Sequence, residues 1–163
     1  MKSSLDIVQR LAAITNEVIV AFSCGKDAQV SLDLCTKYFS RVEAYYFYAV
    51  PDLSFHNKVM DFVHSRYGIT VRKLPSVMLA RSLKTHVFRK PNAACEKLKK
   101  TKQADLEEYI RQEFAMPNGW IVWGIKKCDS LQRRGMVSVC KGIDEKTRRA
   151  YPIGDWSHHA VYQ

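Results

Sequence analysis

Val18-Ile19-Val20-Ala21-Phe22-Ser23-Cys24-Gly25-Lys26-Asp27-Ala28 runs from an unbroken apolar stretch into a short polar loop with a single glycine. Five apolar residues without alternation read as a strand buried on both faces, the pattern of a parallel sheet. After the loop, a helix is expected over roughly residues 27–38, with Val30, Leu34 and Cys35 inward. The order strand, tight turn, helix puts the loop at the carboxyl edge of a sheet, where open α/β folds bind ligands.

Working outward, Leu5, Val8, Leu11 and Ala12 recur at helical spacing, with Ser3 or Ser4 as the cap and Asn16 as the stop. Downstream, residues 42–50 are aromatic and β-rich (Tyr45, Tyr46, Phe47, Tyr48) and predict a second strand ending at Pro51-Asp52. Ser54 is expected to cap a third helix bearing Phe55, Val59, Phe62 and Val63, with Gly68 as its left-handed stop. Residues 69–74 read as strand three. Residues 75–102 show no period and read as loop with short helical turns. An amphipathic helix over 105–114, a turn at Pro117-Asn118-Gly119 and a buried strand over 120–123 follow. From Gly124 onward the chain is rich in glycine, lysine and arginine, and Ser157 caps a helix that scarcely begins. Two successive β-α-β units require right-handed crossovers. The expected fold class is therefore α/β, an open parallel, doubly wound, Rossmann-like sheet with helices on both faces.

A chain of 163 residues, 47% hydrophobic, has material for one core, so residues 1–163 are expected to form a single domain. Asp6, Gln9 and Arg10 interrupt the first apolar stretch, and no 18-residue uncharged run follows, so no signal peptide or membrane span is expected. The expected location is the cytoplasm. Cys24, Cys35, Cys95, Cys128 and Cys140 are odd in number, without a CxxC pair or a Cys/His set at zinc spacing. Neither a disulfide framework nor a cysteine-based metal site is expected. His158-His159 has no acidic or cysteine partner nearby in sequence and reads as exposed helix.

Lys plus Arg total 26 against 16 Asp plus Glu, leaving a formal charge of +10 that calls for an anionic partner. The excess is clustered. One group comprises Arg81, Lys84, Arg89, Lys90, Lys97, Lys99, Lys100 and Lys102, and a second runs from Lys126 to Arg149. Either alone also fits a solvated surface; two in one small chain favour phosphate binding. In the loop, unpaired N–H groups at the helix start attract phosphate. Gly25 permits close backbone approach, Ser23 supplies a hydroxyl, and Lys26 supplies a mobile cation. The loop is neither a Walker A sequence nor a GxGxxG fingerprint, and on its own a purely structural turn remains an equal reading.

Ser23-Cys24-Gly25-Lys26-Asp27-Ala28 resembles the SGGKDS pyrophosphate loop (PP-loop) of the adenine nucleotide alpha hydrolase-like superfamily. Three later segments are similar to the phosphoadenosine phosphosulfate (PAPS) reductase family within it. They are Val50-Pro51-Asp52 through Tyr67-Gly68-Ile69, the Gly-x-Arg-x-x-x-Ser-x-x-Arg-like stretch from Gly124 to Arg133, and Pro152-Ile153-Gly154-Asp155-Trp156-Ser157. The resemblance implies that Ser23, Cys24, Gly25, Lys26, Asp27 and Ala28 surround the phosphates of ATP or PAPS. It implies that Tyr48 and Val50 lie beside the adenine and ribose. Gly124, Lys126, Ser130 and Arg133 would close over the distal phosphate or sulfate, with Lys26, Lys126 and Arg133 in the catalytic roles. Magnesium is the metal such a triphosphate needs, with Asp27 or Asp52 as the nearest carboxylates.

Three departures bear on mechanism. Ala28 replaces the loop's last serine, Lys126 replaces a bidentate arginine, and Ala160 replaces an acid. The family's reductases attack sulfur with a cysteine on a C-terminal tail. Here the last cysteine is Cys140, in a shortened C-terminal segment. Cys95 has no neighbouring cysteine, so an iron–sulfur cluster is not expected. Cys24, at a helix N-terminus, is expected to have a lowered pKa while serving as a small packing residue. The leading expectation is an enzyme that cleaves ATP to AMP and pyrophosphate to activate an acceptor, with nucleic acid or another anion as that acceptor. The alternatives are a PAPS reductase or sulfurtransferase without the usual cysteine, and a non-catalytic nucleotide sensor or nucleic-acid-binding module. The sequence leaves the oligomeric state unread.

Overall fold

Strand β1 (Glu17–Ala21) lies in the middle of the sheet, with β2 (Arg41–Tyr48) and β4 (Trp120–Trp123) parallel to it on either side. Val20 stands opposite both Ala44 and Val122. Adding β3 (Arg72–Pro75), β5 (Ile143–Asp144) and β6 (Arg149–Ala150) gives the order β3-β2-β1-β4-β6-β5. Among the described residues only β5 runs antiparallel, against β6. This is a computed structural model describing residues 5–87, 90, 93–97 and 100–162. The expected caps Ser3 and Ser4 and the basic residues Arg89 and Lys99 lie outside the described residues.

Alternate side chains of the central strands feed two cores. Val18, Val20, Ala44, Trp120 and Val122 pack with Ile7, Val8 and Leu11 of α1 (Asp6–Ala12) and with Ala28, Leu32 and Cys35 of α2 (Lys26–Tyr38). Met60 and Val63 of α3 (Ser54–Tyr67) complete that face. Ile19, Tyr45 and Ile121 pack on the other face with Met116 and with Ile110 of α6 (Gln103–Glu113). A sheet covered on both sides explains why β1 and β4 are continuously apolar. Each such side chain removed from water contributes roughly 1.5–3 kcal/mol.

Several expectations shift. Leu34 and Cys35 are buried on α2 as expected, together with Ala28, Ser31 and Leu32, but Val30 is only half-buried. Ser54 does not cap α3: Leu53 holds the cap position without a side-chain bond, and Phe55 and Phe62 face solvent. Gly68 takes the expected left-handed conformation at φ +70°. Between β3 and α6 lie α4 (Val77–Lys84), capped by the Ser76 hydroxyl, and α5 (Ala93–Glu96). Beyond β4 the chain forms α7 (Leu131–Val139), the β5–β6 pair and a 3-10 helix (His159–Tyr162). The Ser157 hydroxyl accepts from the Ala160 N–H at 3.1 Å, as a cap should. Among the described residues, no helix is long and apolar enough to cross a membrane.

Candidate nucleotide-phosphate site

The first strand delivers its loop directly onto a helix start. Phe22 N–H donates to Tyr45 O at 2.8 Å, extending the β1–β2 pairing by one residue, and α2 begins at Lys26 with Gly25 as N-cap. Among the described residues no side chain caps α2, so the amides of its first turn have no side-chain acceptor and the helix dipole adds positive potential there. Gly25 has an ordinary φ of −80°, and a Cβ built on it would meet only Ser23 Oγ at 3.5 Å. Nothing in the protein's own packing demands glycine at this point.

Cys24 carries the strain of the turn, with φ +62°, a conformation that costs a side-chain-bearing residue roughly 1–3 kcal/mol. Gln29 Nε2 donates to its carbonyl at 3.3 Å and steadies it. Burial pushes the Cys24 thiol up to about 11, with the nearby Lys73 ammonium opposing. The thiol therefore lies above its usual value rather than below it, because burial disfavours the charged sulfur.

Lys26 holds its ammonium 4.3 Å from the centroid of the Tyr162 ring. The Tyr162 side chain is also the main reason its pKa sits above the usual lysine value. Asp27 points the opposite way. Its Oδ2 pairs with Lys126 Nζ, which is fully buried, while its Oδ1 is buried without a hydrogen-bond partner among the described residues. The same ammonium lies 3.3 Å from Asp129 Oδ1. Asp129 Oδ2 accepts from Lys126 N–H at 3.0 Å and from Arg133 Nη1 at 2.8 Å. Burial pushes the Asp129 carboxyl up, but these bonds outweigh it and hold the group below the usual carboxylate range. Close contact between the two segments depends on Gly124, where a Cβ would lie 2.8 Å from Asp27 C and O and 2.9 Å from Ala28 N.

The structure thus gathers Ser23, Cys24, Gly25, Lys26, Asp27, Ala28, Gly124 and Lys126, though not all toward one ligand. Ala28 is turned into the core, 2% exposed, and Lys126 sits beneath Asp27 rather than facing solvent. The Ser130 hydroxyl caps α7 by accepting from Arg133 N–H at 3.2 Å, and Arg133 lies half-exposed on the first turn. Tyr48 ends β2 and Val50 is exposed beyond it. Asp52 is also exposed, and its carboxylate lies 3.4 Å from Lys73 Nζ.

A small cleft of ≈ 90 Å³, lined by Ala21, Phe22, Ser23, Tyr45, Phe47 and Trp123, opens at the carboxyl ends of β1, β2 and β4. The indole Nε1–H of Trp123 is buried there with no hydrogen-bond partner among the described residues. From the sequence, Trp123 is only part of the buried strand over 120–123. Its place at the carboxyl end of a buried parallel strand was the available signal.

A mostly parallel sheet with a glycine-led helix start after its first strand is the architecture in which open α/β proteins hold nucleotides. The chain belongs to the phosphoadenosine phosphosulfate reductase domain family, whose model matches residues 17–163, within the adenine nucleotide alpha hydrolase-like superfamily. Members of this family are enzymes that bind adenine nucleotides. Its fold is similar to that of the PAPS reductase from Candida auris, solved as a phosphate complex. The TM-score is 0.55 at 14% identity, over 98% of this chain and 76% of that one. A glutamine-dependent NAD+ synthetase from Acinetobacter baumannii, in complex with ADP, matches at TM-score 0.55 and 16% identity, over 98% of this chain and 30% of that one. Both are likenesses of fold. No curated protein matches the chain by sequence.

Proposed function

We propose that the loop from Phe22 to Ala28 holds the phosphates of an adenine nucleotide and that the chain cleaves ATP to AMP and pyrophosphate to activate an acceptor. The observation that carries this reading is the uncapped start of α2 beside Gly25 and Lys26. In this scheme the free amides of α2 and the Lys26 ammonium, released from the Tyr162 ring, stabilise charge developing on the phosphates. Arg133, half-exposed on α7, covers the departing pyrophosphate. Lys126 acts through Asp27 as a positioning residue, because its ammonium is already shared by two carboxylates.

The base lies against Phe47 and Trp123, where the unpartnered indole N–H donates to a ring nitrogen, with Tyr48 and Val50 nearer the ribose. The attacking oxygen comes from the acceptor, so no side chain serves as nucleophile. The partnerless Asp27 Oδ1 fits a magnesium ligand, whereas Asp52 is engaged by Lys73. Bound there, the metal would supply neutralisation of the triphosphate. The net charge of +10 supports a nucleic-acid or other anionic acceptor. Reductase chemistry would need a thiolate at the loop, and burial of Cys24 opposes one.

The test is calorimetric titration with ATP, PAPS and AMP, followed by an assay of pyrophosphate release from ATP. Binding of ATP and release of pyrophosphate are expected, and Lys26→Ala should weaken ATP by about tenfold or more through loss of a charge-assisted bond. If none of the three nucleotides binds at millimolar concentration, the reading fails.

A further inference from the structure

Cys128 and Asp129 follow β4, His158 precedes the 3-10 helix, and the fold brings the three together. A sulfur, a carboxylate oxygen and an imidazole nitrogen lie within 4.8 Å of one another. We propose that they form a binding site for a zinc-class divalent cation, independent of the nucleotide reading.

Thiolate, imidazole and carboxylate are the donors zinc takes, at about 2.0–2.3 Å each. A tetrahedral ion at those lengths sets its donors about 3.3–3.8 Å apart. Rotation of the exposed Cys128 and His158 side chains would close the remaining gap, on backbones that are already tied. Lys127 N–H donates to Gly154 O at 2.9 Å, Lys127 Nζ pairs with Asp155 at 2.5 Å, and Cys128 Sγ–H donates to Trp156 O at 3.4 Å.

The carboxylate is fixed yet retains capacity. Of its roughly four lone-pair sites, three face the Lys126 ammonium, the Lys126 N–H and Arg133, which leaves one for a metal. Cys128 and His158 are exposed, so an ion enters from solvent. Binding breaks the Cys128 S–H bond and sends its proton to solvent. Thiolate and carboxylate then balance the ion's two charges, and water takes the fourth position. The surrounding positive charge offers a hard cation little, so the soft donor set selects zinc or cobalt over magnesium or calcium. A bound ion would fasten the segment carrying Tyr162 to the loop carrying Lys126, both of which border the phosphate loop.

Untagged full-length protein is titrated with Co²⁺ and then Zn²⁺ in the absence of nucleotide. The expected result is one equivalent of Co²⁺ with a thiolate-to-cobalt absorption band in the near ultraviolet, displaced by Zn²⁺ and untouched by Mg²⁺. Cys128→Ser should abolish the band, and His158→Ala should weaken Co²⁺ by at least about tenfold, since even residues behind a metal's direct ligands cost 10–100-fold when lost. Cys140→Ser should leave the band in place. All three variants are checked for native circular dichroism. The proposal is overturned by absence of the band in the parent chain, by its survival in Cys128→Ser, or by its loss in Cys140→Ser.

Discussion

The ammonium of Lys126 and the carboxylate of Asp27, 99 residues apart in sequence, meet inside the protein where Lys126 has no solvent exposure. This contact couples the first turn of α2 to the loop after β4. Removing one partner of a buried pair leaves the other uncompensated, at about 3–5 kcal/mol. Lys126→Met strands Asp27, while Asp129 keeps the Lys126 N–H and Arg133, and should lower unfolding free energy by that amount in urea titration. The double variant Asp27→Asn with Lys126→Met should recover part of the loss. A Lys126→Met chain as stable as the parent would show that the pair does not hold the two segments together.

Two glycines flank the same junction, and they should separate stability from binding. In Gly124→Ala the new methyl meets backbone atoms of Asp27 at 2.8 Å, which cannot yield without moving α2. Overpacking of this kind costs roughly 1–3 kcal/mol, and the displaced helix start should also bind ATP more weakly. In Gly25→Ala the methyl meets only Ser23 Oγ at 3.5 Å, an ordinary contact. Its melting temperature should stay near that of the parent while ATP affinity falls. Loss of stability in Gly25→Ala with affinity intact would mean that the glycine serves the fold and not a phosphate.

What could be read from the sequence follows the range of the interactions involved. Strands β1 and β4 were legible because burial on both faces leaves them continuously apolar, and the loop between β1 and α2 was legible because its chemistry is local. Helix α7 was not, since Leu131 and Val139 face solvent at 81% and 88% exposure and only Val137 is buried. No apolar period exists there to find. Strands β5 and β6 are two residues each, held by pairing with neighbours rather than by propensity. The pairing of Lys126 with Asp27, and the approach of His158 to Cys128, arise only from tertiary folding. A lysine expected to face phosphate therefore proved to be buried, and a histidine without a sequence neighbour proved to have two.

Acid should weaken the protein partly through Asp33. Burial pushes its carboxyl up, but bonds from Lys37 Nζ at 2.5 Å and Tyr67 O–H at 2.8 Å outweigh that and hold it below the usual value. A depressed folded pKa means that the unfolded chain takes up the proton first. The stabilisation is therefore complete above the unfolded pKa of about 3.9 and lost as pH falls through the folded value. The site is partly exposed, so Asp33→Asn should cost only about 0.3–1 kcal/mol at pH 7. Urea titrations at pH 7 and pH 3 check the sign: the difference between parent and variant should be smaller at pH 3 than at pH 7. A constant gap across that range would rule out the ionised carboxylate as its cause.

Cys24 bears on which chemistry the loop can perform. With its thiol pushed up to about 11, only about one molecule in ten thousand carries the thiolate at pH 7. Iodoacetamide reacts with the thiolate, so in chelator-treated protein exposed Cys128 should be labelled well before half-buried Cys24. Cys24 labelling, followed peptide by peptide in a mass spectrometer, should keep rising with pH through 10. Raising the pH acts on the sulfur's charge, whereas saturating ATP acts on its access, so ATP should slow the reaction at every pH if phosphates cover the loop. Fast labelling of Cys24 at pH 7, ahead of Cys128, would place a thiolate beside the phosphate site. That outcome would favour attack on sulfur over cleavage of ATP.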